Sequence, residues 1–106
     1  MASRNVKIVV TAPISHADAV RNAMAKAGAG KMGKYTHASF STKGIGRFKP
    51  GKDARPAIGE IGKLERVEEE RIETICPRGK IGQVISAVKK AHPYEEVALD
   101  IYSLEN

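Results

Sequence analysis

Cysteine, tryptophan and long apolar runs are what this chain lacks. Its single thiol, Cys76, has no internal partner, which excludes a disulfide-stapled scaffold and fits a reducing, cytoplasmic setting. No apolar run approaches the roughly 18 residues of a helical membrane span. The start, Met1-Ala2-Ser3-Arg4-Asn5-Val6, has no apolar stretch or small-residue cleavage site of a secretory signal. Aromatic residues are only 5% of the chain and Trp is absent. What remains is 106 residues with 42% hydrophobic content, enough for one domain, residues 1–106, and too little for two.

Acid is short of base, with 12 Asp and Glu against 18 Lys and Arg, a formal charge of +6. The excess sits in one place. Residues 31–55 hold Lys31, Lys34, Lys43, Arg47, Lys49, Lys52 and Arg55 against Asp53 alone, and the rest of the chain is neutral. A basic patch suggests nucleic acid. Only Tyr35, Phe40 and Phe48 stand near it as stacking platforms, which argues against that partner.

Residues 6–12 (VKIVVTA) are β-branched on both faces, as in a central strand. Ser15 and Asp18 suggest a capping box; Val20, Ala23, Met24 and Ala27 follow at helical spacing, and Gly28 and Gly30 end the helix. Residues 35–40 have strand composition. Residues 42–59 show neither period and hold Gly44, Gly46, Pro50, Gly51, Pro56 and Gly59, predicting a long basic loop. Strands are expected at about 63–67 and 70–76, joined by a bend or forming one bulged ribbon. Ile81, Val84, Ile85 and Val88 mark a second helix, which His92-Pro93 ends because a residue before proline avoids the helical region. Residues 97–102 make the last strand. The order βαββαβ predicts an α+β, ferredoxin-like sandwich, an antiparallel sheet with both helices on one face. Its uncovered face, partly apolar at Val9 and Ile75, predicts self-association.

Chemistry is sparse. His37, His92, Cys76, Glu95 and Glu96 are the residues able to ligate a metal, and none has a recognised local spacing. No serine sits in a nucleophile elbow. Glu95 and Glu96 are adjacent in an extended segment and point apart. No catalytic residue is expected. The stretch Lys43-Gly44-Ile45-Gly46-Arg47-Phe48-Lys49 suggests an anion cradle, with glycine amides close to the ligand and basic side chains around it.

Several spaced motifs add a resemblance. Ala91-His92-Pro93-Tyr94-Glu95-Glu96-Val97, Gly44-x-Gly46-x-Phe48-x-Pro50, Pro56-x-Ile58-Gly59 and residues 62–68 (GKLERVE) together resemble the domain inserted in Nif-three-like (YqfO-type) proteins, from about residue 6 to the end. The resemblance implies a PII/CutA-like fold, assembled as a trimer, in a stand-alone copy of the domain. The flanking domains that hold two metal ions in the full-length family are absent here, so it implies neither hydrolase nor GTP cyclohydrolase activity. His92-Pro93-Tyr94-Glu95 also resembles the matching segment of CutA proteins, and loop 42–59 takes the place of the PII T-loop. Relatives often carry a cysteine where this chain has Ala38.

Together these features predict a non-catalytic, cytoplasmic homotrimer that binds a small anionic ligand or a partner protein through loop 42–59. Its site is expected between subunits, from Tyr35, His37, Gly44, Gly46, Arg47, Phe48, Lys49, His92, Tyr94 and Glu95. The alternative is a CutA-type divalent-metal protein with His37, His92 and Glu95 as ligands. An enzyme acting on phosphorylated substrates ranks last, and the cofactor, if any, is not specified.

Overall fold

In a computed structural model, which describes residues 3–106, the apolar run near the start forms β1 (Asn5–Pro13), the inner strand of a sheet. Val6, Ile8, Val10 and Ala12 are buried on one face and Val9 on the other, which is why this strand lacks polar alternation. After it come α1 (Ile14–Lys26), β2 (Phe40–Phe48), β3 (Glu65–Pro77), a 3-10 turn (Arg78–Lys80), α2 (Ile81–Ala91) and β4 (Leu99–Ser103). The strand order is β2-β3-β1-β4 with every neighbouring pair antiparallel. Ala17, Val20 and Met24 of α1 and Val84 and Val88 of α2 pack with Ile72, Cys76 and the inner residues of β1 in one cluster. Burying each of the larger aliphatic side chains contributes about 1.5–3 kcal/mol. The ferredoxin-like sandwich is as expected.

Four local expectations change. Helix α1 starts at Ile14 with Pro13 in the cap position and no side-chain cap bond. The hydroxyl of Ser15 instead meets His16 Nδ1 at 2.8 Å, and Asp18 pairs with Arg21 at 2.6 Å, so no capping box forms. Of residues 35–40, only Phe40 lies in a strand; the rest is an excursion pinned to the sheet through Gly30 and Ala38. The expected loop 42–59 is strand as far as Phe48. Its register with β3 runs without a break from Phe40↔Glu73 to Phe48↔Glu65, and the irregular connection spans 49–64. The two short strands expected after it are one, Glu65–Pro77, paired in constant register along both edges and without a bulge. For β2 and β3 a partner distant in sequence supplies the hydrogen bonds that local composition disfavours.

The helices cover one face. On the other, Val9, Ile75, Phe40 and Tyr102 lie towards one end of the sheet, with Phe40 66% exposed. The β2–β3 hairpin runs past the end of β1, whose last residue, Pro13, pairs with Glu69, and stretches the molecule to 45 Å along its long axis.

Candidate functional site

The period of two along β2 sorts the basic, glycine-rich stretch by face. Thr42, Gly44, Gly46 and Phe48 lie on the face away from the helices, while Lys43, Ile45 and Arg47 lie on the other. The register sets Thr42 beside Arg71, Gly44 beside Glu69 and Phe48 beside Glu65. Gly44 and Gly46 are absent from the left-handed positions. The glycines and the neighbouring basic residues of the expected anion cradle are therefore turned to opposite sides of an extended strand.

What the glycines make room for is a carboxylate. Glu69 lies over Gly46 so closely that a methyl group there would overlap Oε1. Its residue exposure is 8%. The phenol of Tyr94 donates to Glu69 Oε2 at 3.2 Å, and the Tyr94 ring meets Phe48 edge-on, with centroids 5.7 Å apart. Tyr94 is itself held by the helix-terminating corner that the sequence predicts. His92 Nε2 donates to the carbonyl of Thr11 at 2.7 Å, and Nδ1 accepts the Tyr94 N–H at 3.2 Å; these partners assign the proton to Nε2. Glu95 accepts the backbone N–H of Arg55 at 2.7 Å and so ties the loop after β2 to the corner after α2. Between hairpin, loop and corner lies an open cleft of about 660 Å³.

Gly44, Gly46, Phe48, Tyr94 and Glu95 thus line one cleft, joined by Lys43, Arg47 and Lys49 along the strand that bounds it. His92, only 6% exposed, stands behind the wall and holds it. Tyr35 and His37 are elsewhere. Tyr35 is 77% exposed in a turn bridged to Met32, and His37 lies beside α1 in a dent shared with Arg21 and Met24. The proposed metal ligands His37, His92 and Glu95 do not converge within the chain. Among the described residues no group of three or more His, Cys, Asp or Glu could hold a metal ion, and both His92 nitrogens are already engaged. The cleft also contains Thr11, Glu69 and Arg71, which the sequence did not single out. The Gly-x-Gly-x-Phe spacing, read at period two, was the available signal that one strand face was being kept bare.

Burial pushes the Tyr94 phenol up to about 12, helped by the charge and the hydrogen bond of Glu69. Folding thus holds this proton more tightly, so the stabilisation is complete below about pH 10 and is lost as pH rises through about 12. In a titration followed by tyrosinate absorbance, one of the 3 tyrosines is expected to ionise late. Tyr94→Phe should remove that late component; its persistence would contradict the assignment to Tyr94. Burial also raises the Cys76 thiol, with Lys80 acting weakly against it, which keeps this sulfur from being a reactive thiolate.

A four-stranded antiparallel sheet with two helices on one face and a long hairpin beyond it is the PII/CutA-like fold. The chain superposes on the periplasmic divalent cation tolerance protein CutA of Archaeoglobus fulgidus with a TM-score of 0.67 at 17% identity, covering 96% of this chain and 85% of that one. It superposes on the GlnK–ATP complex of Bacillus subtilis with a TM-score of 0.65 at 11% identity, over 99% and 85%. At such identities the likeness is one of fold. No family model matches the chain. Sequence relatives narrow the class: over 99 residues it is 50% identical to a Bacillus subtilis protein named GTP cyclohydrolase 1 type 2 homolog, covering 93% of this chain and 26% of the relative. A NIF3-related protein of Bacillus cereus superposes with a TM-score of 0.85 at 48% identity, over 100% of this chain and 27% of that one. The chain is therefore similar over nearly its whole length to one segment of these NIF3-related relatives, and it spans about a quarter of their length.

Proposed function

We infer that the chain is a non-catalytic ligand-binding module of the NIF3-related proteins, assembled as a cytoplasmic homotrimer. The observation that carries this is the cleft, where Glu69, Tyr94 and Phe48 converge and the Glu95–Arg55 contact closes the loop over them. A concave site with an apolar wall and a few placed polar groups is the usual form of a small-molecule site. Assembly is supported by the sheet face that the helices leave uncovered, where the large side chains of Phe40 and Tyr102 are exposed. The activity in the relative's name belongs to a chain of which this one covers 26%. Among the described residues nothing in the cleft pairs a nucleophile with a base, and Phe48 and Tyr94 are packed on each other instead of free to stack on a nucleic acid.

Two measurements test this. Light scattering at micromolar concentration is expected to give a trimer, and a monomer would refute the assembly. In a thermal-shift panel of amino acids, nucleotides, phosphorylated metabolites and divalent metals, at least one compound should stabilise the protein by mass action. Tyr94→Ala should abolish that shift and Arg47→Ala should leave it. The reverse pattern would return the site to the basic edge of the hairpin.

A further inference from the structure

The cleft holds a charge without a full set of partners. Glu69 is 8% exposed and its carboxylate accepts only the Tyr94 hydroxyl, through Oε2. Among the described residues no donor reaches Oε1, yet this oxygen is not sealed from the cleft. A carboxylate oxygen so poorly solvated favours a cationic donor, because an unmet buried charge is costly.

Arg71 is the complement. It lies two residues further along β3 on the same face, about 7 Å away along the strand. Its Nε donates to Glu73 at 3.1 Å, and its terminal nitrogens have no acceptor among the described residues. The register places Thr11 on one side of Arg71 and Thr42 on the other, so two threonines border it in the sheet. Beside Glu69 stands Gly44, where a side chain would meet nothing within 4 Å, and the lane between the two charges stays open. Beyond Glu69 the wall is apolar, from Phe48, Tyr94, Pro50, Pro56 and Ile58.

We propose that the cleft binds a free α-amino acid with an apolar side chain. The ammonium sits on Glu69 Oε1, the carboxylate on Arg71 with the threonine hydroxyls, and the side chain against Phe48 and Tyr94. This rests on the cleft being the ligand site and specifies its ligand. A simple cation would use Glu69 alone and leave the terminal nitrogens of Arg71 unmatched. A nucleotide or other phosphate would bring several negative charges against Glu69, which like-charge repulsion opposes. An α-amino acid carries both signs on neighbouring groups, and Arg71, an exposed side chain, swings from Glu73 towards Glu69 to meet the carboxylate.

Isothermal titration of the assembled protein with L-leucine, L-methionine and L-phenylalanine tests this. At least one should bind, and N-acetylation or amidation of that amino acid should weaken binding tenfold or more. Glu69→Gln and Arg71→Gln should each cost a similar factor. Arg71 is exposed, so its variant keeps the fold, and unchanged circular dichroism confirms that for both. No heat with any free apolar amino acid overturns the proposal, as does equal binding of the N-acetyl form. If a phosphorylated metabolite binds in a Tyr94-dependent way and amino acids do not, the proposal fails while the cleft stands as the ligand site. If neither class binds, both fail.

Discussion

Replacing Gly30 with alanine is expected to destabilise the protein by about 2–4 kcal/mol, the sum of a backbone term and an overpacking term. Gly30 has φ +83°, a conformation that L side chains rarely adopt. A Cβ would also stand 2.7 Å from the carbonyl oxygen of Ala38, 2.9 Å from its nitrogen and 3.2 Å from the Thr74 hydroxyl. The first two are backbone atoms and cannot swing aside. They are also in use: the Gly30 N–H donates to Ile75 O at 2.7 Å, the Ala38 N–H donates to Gly30 O at 2.9 Å, and the Thr74 hydroxyl donates to Ala38 O at 2.7 Å. Residues 31–39 are fastened to the sheet through these bonds, so a shift that relieves the clash breaks them. The effect is read as a lower urea midpoint at unchanged slope. Gly33 is the control, with φ +57° and nothing within 4 Å; Gly33→Ala is expected to cost about 1 kcal/mol, the backbone term alone. Equal losses at the two positions would refute the role of the Ala38 contact.

His92→Leu carries the second large effect, about 2–4 kcal/mol, because it orphans two backbone groups at once. The carbonyl of Thr11 loses the donor Nε2 and the Tyr94 N–H loses the acceptor Nδ1, in a residue that is 6% exposed. The ring also packs against Tyr94, at 4.9 Å between centroids, so the loss reaches Tyr94 and its contact to Glu69. His37→Ala is expected to change stability by no more than about 0.5 kcal/mol, since that side chain is exposed and its Nδ1 meets only the neighbouring Thr36 hydroxyl. Urea denaturation of the two variants separates these roles. Equal, small losses accompanied by release of a stoichiometric metal would revive the metal-ligand alternative that the sequence left open.

The two histidines show where the chain was legible. Pro93 forbids a helical His92, and α2 does end there, at Ala91 with an extended His92 behind it. That His92 then braces Tyr94 against the end of β1 depends on Thr11, which lies 81 residues earlier in the sequence. The Glu68-Glu69-Glu70 run illustrates the same limit. Composition makes it a solvated interruption. Extended backbone instead sends Glu70 towards Arg21 of α1, at 2.8 Å, and Glu69 into the cleft on the opposite face. Strand β2 was the hardest to foresee: in the stretch 40–48 (FSTKGIGRF), two glycines and two basic residues hide any apolar period, and only the ladder with β3 makes it regular.

By itself the sequence determined the elements whose signal is local. These are the apolar period of β1, the helical spacing of α1 and α2, the breaks at Gly28 and Pro93, and hence the βαββαβ order with one helical layer. It also confined the excess charge to residues 31–55, within a chain too poor in cysteine and apolar runs for a disulfide scaffold or a membrane helix. Tertiary structure alone decided which side of β2 carries glycine and which carries charge. It likewise selected Glu69, out of three consecutive glutamates, to face Tyr94. The physical reason is that strand register and facing are set by hydrogen bonds to a partner remote in sequence, and one step of register exchanges every side chain between cleft and solvent.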